Sequence, residues 1–257
     1  MMTEEQKERY KRHLMLEDVG EEGQEKLLKA SVLVIGAGGL GSPNTMYLTA
    51  AGIGRIGVLD FDIIELSNLQ RQIIHTTAEI NSSKVQSAER KMLALNPETQ
   101  VETYFDRLNA SNALKIIQNY DFVIDATDNF AGKFLINDAC VLANKPFSHA
   151  GIFKHRGQTI TVLPRKTACF ACIFEEPPEL KEQGMFKAGL FGVVPGIVGC
   201  IQASEAIKYF LGFPLLTNQV LHVDTKNMDF RKISVQRNVK CRVCGENGIK
   251  TLSDYPQ

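Results

Sequence analysis

The sequence has no tryptophan, no net charge and no leader-like N-terminus. Lys and Arg number 29 and so do Asp and Glu, so no global field draws the chain to nucleic acid or to an anionic membrane. No dense Lys/Arg run supplies a local substitute. The opening MMTEEQKERYKRH is polar and charged, so neither a signal peptide nor a transit peptide is expected and a cytoplasmic location follows. The uncharged run from Ala188 to Ser204 carries Gly189, Gly192, Pro195, Gly196 and Gly199. It is short for a membrane span and reads as a buried loop leading into a helix. Without a secretory signal the six cysteines are not expected to form a disulfide framework. Internal repeats and low-complexity tracts are also absent.

What is present is ordinary for a globular α/β protein. The 257 residues are 44% hydrophobic and 23% charged, enough for one large domain or a domain with an appendage. Tyr10, Leu14 and Met15 at helical spacing predict an amphipathic helix over 3–18, and a short helix follows over 21–29. Val32-Leu33-Val34-Ile35 reads as a buried strand, and IGVLDFD (56–62) as a second. Further strands are expected at 101–105, 121–127 and 145–151. Helices are expected at 43–51, 84–95, around 111–118 and over 130–143. This alternation predicts a Rossmann-like doubly wound, mostly parallel sheet. The last third changes character, with strands at 157–163, 219–225 and 228–235 and a helix around 197–211, which extends the sheet with antiparallel strands. We divide the chain into N-terminal helices (1–30), a nucleotide-binding core (31–165) and a C-terminal extension (166–257), all within a single domain.

Gly36, Gly38 and Gly41 form GxGxxG between a strand and a helix, with Gly39 inside the loop. Such glycines permit a tight turn, and the helix N-terminus then offers N–H groups to a phosphate. Asp60 ends the next strand, where a carboxylate accepts from ribose hydroxyls. The loop alone suits NAD as well as ATP. The segment DFDIIELSNLQRQ (60–72) favours a triphosphate. It gathers Asp60, Asp62, Asn68, Arg71 and Gln72 past the C-terminal end of a strand, and Lys84 adds a charge near the same edge. DATDN (125–129) ends another central strand. Asp125 or Asp128 there suits Mg²⁺, with Asn129 beside them, although Asp128 equally suits a helix N-cap.

Four of the cysteines fall into two CxxC pairs, Cys169/Cys172 and Cys241/Cys244. Two such pairs can wrap one tetrahedral Zn²⁺, and four thiolates leave no position open for catalysis. Cys140 and Cys200 sit in apolar helical contexts and read as core. The histidines His13, His75, His149, His155 and His222 are scattered and read as structural or solvated.

GAGGLGS, DFDIIELSNLQRQ, Lys84, DATDNF and the paired cysteines together resemble the MoeB/ThiF/HesA family, bacterial relatives of ubiquitin-activating enzymes. The resemblance runs from ERYKRH to CRVCG. It implies a homodimeric adenylyltransferase that uses ATP and Mg²⁺ to adenylylate the C-terminal glycine of a small ubiquitin-like sulfur-carrier protein such as MoaD or ThiS. It implies that Asp60 holds the ribose, that Asn68, Arg71, Gln72 and Lys84 hold and polarise the phosphates, and that Asp128 binds Mg²⁺. Arg12, by itself a charge on a helix face, matches an arginine that reaches the neighbouring subunit's ATP. One departure stands out. Many members carry a cysteine in a crossing loop, where this chain has Met185, so adenylylation without a covalent cysteine intermediate is expected. FEEPPELKEQ (174–183) is expected to be part of that loop, and the end at Gln257 leaves no room for a rhodanese-like domain. Rival readings are the same chemistry on a peptide C-terminus or a tRNA-borne group, an NAD-linked oxidoreductase, and a non-catalytic scaffold.

Overall fold

The computed structural model describes residues 2–176 and 189–256. Its centre is an eight-stranded sheet in the order β3-β2-β1-β4-β5-β6-β7-β8. The strands are β1 (Ser31–Ile35), β2 (Arg55–Leu59), β3 (Gln100–Tyr104), β4 (Phe122–Asp125), β5 (Phe147–Phe153), β6 (Arg156–Val162), β7 (Gln219–Asp224) and β8 (Asp229–Ser234). β3 through β5 are parallel and β5 through β8 antiparallel. The expected mostly parallel sheet with an antiparallel extension is therefore present, and it runs unbroken across the division at 165.

β1 is buried at every position because helices cover both faces of the sheet. One face packs α3 (Gly20–Lys29), α4 (Gly41–Ala51), α5 (Lys84–Leu95) and α9 (Val193–Leu211) around Val32, Val34, Ile56 and Phe122. The other packs α6 (Ala113–Ile117) and α7 (Phe130–Leu142) around Leu33, Ile35 and Val123, together with the cysteine arm and the short α8 (Phe170–Ile173).

Several elements depart from expectation. The helix expected over 3–18 breaks into α1 (Glu4–Arg9) and α2 (Lys11–Leu14) at Tyr10. Tyr10 is buried: its ring lies against Gly52, which closes α4 in the left-handed region at φ 83°, and its hydroxyl accepts from Asn96 Nδ2. Burying that ring turns the chain, so Met15 and Leu16 face solvent rather than a core. The strand expected over 56–62 stops at Leu59, because the Asp60 carboxylate accepts the Asp62 N–H and curls the chain out of the sheet. The alternation of 228–235 does not bury one face, since β8 is the sheet edge and Phe230 and Ile233 are exposed. Of the two cysteines read as core, Cys140 is fully buried and Cys200 half-buried.

α9 is fastened to the sheet where its pairing changes direction. Gln202 is fully buried, donates to the Asp125 and Ser148 carbonyls at 2.9 and 3.2 Å, and accepts from Asn44 Nδ2 at 3.2 Å. Gln202→Leu keeps the volume but strands those buried partners. It is expected to lower unfolding stability by about 2–4 kcal/mol in urea titrations, whereas a loss below about 0.5 kcal/mol would show the fastening to be idle.

A candidate nucleotide site and a four-cysteine cluster

β1 ends at Ile35, and Gly36 turns the chain at φ 106°. A Cβ on Gly36 would lie 2.6 Å from the Ala126 carbonyl oxygen, and one on Gly41 would collide with the Gly36 carbonyl oxygen. These two positions therefore demand glycine, so that the loop can fold flat against the end of β4 and start α4 at once. No side chain caps α4; Ser42 and Asn44 donate to the Gly38 and Leu40 carbonyls and Pro43 has no N–H, so the N–H groups of Gly38, Gly39, Leu40 and Gly41 are the ones left without a partner among the described residues.

Two side chains brace this loop from β2 outward. Asp60 Oδ2 accepts the Ala37 N–H at 2.8 Å while Oδ1 accepts from Asp62 N at 2.8 Å. His75, buried, bridges the Ala37 carbonyl and Ser87 Oγ at 3.0 and 2.9 Å. Burial pushes the His75 pKa down, which keeps the ring neutral in a structural role, as expected for it. The segment after Asp60 returns to the glycines. Asn68 is buried and accepts from Glu65 N, closing a short 3₁₀ turn, Leu66–Asn68. Gln72 is buried beside Gly38, and its Oε1 has no hydrogen-bond partner. The Arg71 stem passes Gly39, and its Nη1 donates to the Ser67 carbonyl. Lys84 opens α5, buried, with Nζ 2.8 Å from Asp62 Oδ2. These contacts place Asp60, Arg71 and Gln72 against the loop of Gly36–Gly41, Lys84 against Asp62, and Asn68 in the turn before Arg71.

The end of β4 separates two carboxylates the sequence left as alternatives. Asp125 is wholly buried and engaged: it accepts from Thr127 N and Oγ1 and from His149 Nδ1 at 2.6 Å, with Lys133 Nζ at 3.5 Å. Asp128 is exposed and makes no hydrogen bond or ion pair among the described residues. The N-cap of α7 is Asn129, whose Oδ1 accepts from Gly132 N at 2.7 Å, and not Asp128. Of the two, Asp128 is the carboxylate without a partner among the described residues. Lys133 was not singled out in the sequence and His149 was read only as structural or solvated; their places, one helical turn into α7 and in register with Asp125 on β5, are what join them to this carboxylate. Arg12 lies exposed on α2 and has no partner among the described residues.

The cysteine pairs converge. Cys169 precedes α8 and Cys172 lies within it, Cys241 and Cys244 lie in a turn near the C-terminus, and the four Sγ atoms all lie within 4.8 Å of one another. Sγ separations are 3.9 Å for Cys169–Cys172, 3.8 Å for Cys169–Cys241 and 3.4 Å for Cys172–Cys244. Asn238 N and Val243 N donate to Cys172 and Cys241 Sγ. Gly245 donates to the Cys241 carbonyl, where a Cβ would not fit. All four thiols are free of disulfides, and the group could hold a metal ion. The position of Met185 and most of the expected crossing loop lie outside the described residues.

The chain matches the ThiF family model over residues 10–243 and belongs to that family. It is 43% identical to a sulfur carrier protein adenylyltransferase of Thermus thermophilus, over 98% of this chain and 96% of the relative. It is 40% identical to the SAMP-activating enzyme E1 of Haloferax volcanii, over 97% and 93%. Among solved structures it resembles E. coli MccB with AMPCPP and MccA, at TM-score 0.82 and 25% identity over 95% of this chain and 75% of that one.

Burial pushes the Asp60 pKa up, while the Lys84 ammonium is the largest influence holding it down. Removing that cation in Lys84→Met is expected to move the Asp60 midpoint higher still, so the carboxylate is lost at a higher pH. Carboxyl-carbon NMR shifts followed through a pH titration read this directly, and an unchanged or lower midpoint would contradict the coupling.

Proposed function

We propose that this protein is an adenylyltransferase that uses ATP and Mg²⁺ to activate the C-terminal glycine carboxylate of a small ubiquitin-like sulfur-carrier protein. The observation that carries the reading is the packing of Arg71 and Gln72 on the glycine loop, with Lys84 paired to Asp62 just past Asp60 and an unengaged Asp128 after β4. Gln72 Nε2 is the atom nearest Gly38, so an amide donor stands beside the loop where a phosphate oxygen would accept from it. A nicotinamide cofactor would have no use for so many phosphate-directed groups. The names of the 43% and 40% identical relatives, a sulfur carrier protein adenylyltransferase and an E1, support the substrate class.

In this reading the N–H groups of Gly38, Gly39 and the start of α4 hold phosphate oxygens, and Asp60 holds the ribose. Asn68, Arg71, Gln72 and Lys84 screen the polyphosphate, while Asp128, beside Asn129, takes Mg²⁺. The carrier's carboxylate oxygen attacks the α-phosphorus, the bond to the bridging oxygen breaks and pyrophosphate leaves. The nucleophile is already ionised at neutral pH, so no general base is required. Catalysis is then alignment and charge screening. Covalent capture on a cysteine is not part of the proposal. Burial pushes the thiol pKa of Cys140 well up and that of Cys200 up, which opposes thiolate chemistry at both. A homodimer in which Arg12 reaches the neighbouring ATP fits the exposed Met15, Leu16, Leu66 and Ile73 around the N-terminal helices and the 60–73 segment. No nucleic acid or membrane partner is proposed. Among the described residues no helix is long and apolar enough to cross a membrane, and we place the enzyme in the cytoplasm.

Arg71→Ala is expected to cut carrier-dependent ATP–pyrophosphate exchange by about 10³-fold or more with little change in thermal midpoint. Exchange within a few-fold of the unaltered enzyme would remove Arg71 from the mechanism, and exchange stimulated by a free peptide or tRNA but by no carrier would redirect the substrate.

For the cysteine cluster we propose structural Zn²⁺ bound by Cys169, Cys172, Cys241 and Cys244. Four sulfurs around zinc at about 2.3 Å in a tetrahedron lie about 3.8 Å apart, which the Sγ separations of 3.4–3.9 Å approach. Metal analysis should find roughly one zinc per chain, and chelation should loosen the C-terminal arm, given the ~10–16 kcal/mol such sites contribute in peptides. Well-folded protein without zinc would refute this assignment.

A further inference from the structure

A cavity of about 130 Å³ lies between α8 and the antiparallel extension. Its walls include the rings of Phe170 and Phe174 and the edge-strand residue Ile233, and its polar lining includes His149, Gln158 and His222. Its size is that of a single aromatic ring: an engineered apolar cavity of about 150 Å³ stays dry and binds benzene. The Phe170 and Phe174 centroids are 4.9 Å apart, and His149 stacks 4.1 Å from Phe170, which suits a flat guest.

The polar groups define what the guest must carry. His149 is 97% buried by its 3% relative exposure, and its Nδ1 is taken by Asp125. Asp125 is held ionised by Lys133, His149 and Thr127, so it only accepts. The shared hydrogen therefore sits on Nδ1, and Nε2 presents a lone pair that no described residue satisfies. Gln158 and His222 side chains also make no hydrogen bond among the described residues. An apolar slot faced by one unpaired acceptor favours a ring with a donor over a bare hydrocarbon.

Place gives the source of that ring. The proposed nucleotide groups lie beyond β1 and β2, and Asp128 follows β4. On the adenylylation reading, β5 and the extension are the part of the sheet left beside these groups for the incoming carboxylate. His149 sits on β5 opposite Asp125, whose carboxylate also holds the Thr127 turn that presents Asp128. We propose that this cavity receives an aromatic side chain bearing an O–H or N–H donor, tyrosine first, from the carrier protein whose carboxylate is activated, with His149 as the specificity-determining residue. The proposal rests on the adenylylation reading and adds the side chain that this enzyme selects.

The test uses p-cresol, the tyrosine side chain itself, against toluene on the full chain. p-Cresol should bind saturably, move the His149 Nε2 nitrogen resonance and bind about tenfold or more tighter than toluene. His149→Phe should bring the two within about twofold. Because that change leaves Asp125 short of a partner, Ile233→Trp on the exposed edge provides a second variant. It should block p-cresol and raise the KM for carrier several-fold in ATP–pyrophosphate exchange, with kcat and the KM for ATP unchanged. Equal affinity for toluene and p-cresol, or no saturable binding, overturns the proposal. Exchange absent from the unaltered enzyme with every carrier overturns the adenylylation reading as well. Normal exchange with an unmoved carrier KM in Ile233→Trp overturns this inference alone.

Discussion

The ionised Asp125, fully buried at the end of β4, is the constraint on which the rest depends. A lone carboxylate in such a place would be protonated or would unfold its surroundings, because removing it from water costs several kcal/mol. Here Lys133, His149 and two donors of Thr127 offset that cost and hold the pKa well below the usual carboxylate range. Each donor comes from a different place: the turn after β4, the first turns of α7, and β5. Gln202 from α9 takes the Asp125 backbone carbonyl. The Asp125 carboxylate thereby ties α7 to the ends of β4 and β5, and its backbone carbonyl ties α9 to the same place. Lys133 also donates to the Thr127 and Ala150 carbonyls, so the ammonium is as firmly committed as the acid.

That knot explains the division of labour between two neighbouring aspartates. Asp125 is spent on architecture, and the turn it stabilises leaves Asp128 exposed, with Asn129 relieving it of helix capping. The glycine loop shows the same economy. Asp60 and His75 hold the two sides of Ala37, so the loop is braced through backbone atoms, while Lys84 is held by Asp62 and Arg71 by the Ser67 carbonyl. A rigid loop with the charges preplaced loses little freedom when a polyphosphate arrives, which is how alignment lowers a barrier without acid–base chemistry.

The parts of this protein legible in the sequence were those written in local patterns. Buried apolar runs gave the parallel strands, GxGxxG gave the strand–loop–helix, and the CxxC pairs gave the sulfur cluster. What the sequence left open were choices settled by long-range partners. Asp125 and Asp128 are equivalent in a string of letters and differ only once Lys133 and His149 arrive from elsewhere. Tyr10 reads as one member of an amphipathic stripe, yet Gly52 and Asn96 offer it a niche that breaks the helix. β8 alternates properly, but alternation buries a face only if something packs on it, and on the edge strand nothing described does so. The buried histidine His149 carried no local signal at all, since its role depends on the register that sets β5 against β4.

On the proposed reading, the cysteine arm links stability to selectivity. α8 is only four residues long and far too short to hold itself together in isolation. It is fixed because Cys169 precedes it, Cys172 lies within it, and both meet the C-terminal pair. Phe170 of that same turn packs on Phe134 and on His149, so the placement of one wall of the cavity follows from the sulfur cluster. A metal at the four thiolates would thus act on substrate choice without touching substrate, by holding Phe170 and Phe174 over the β5–β8 face. The same fold could then keep its ATP-directed edge constant while changes at positions such as 149, 222 and 233 alter which protein tail is accepted.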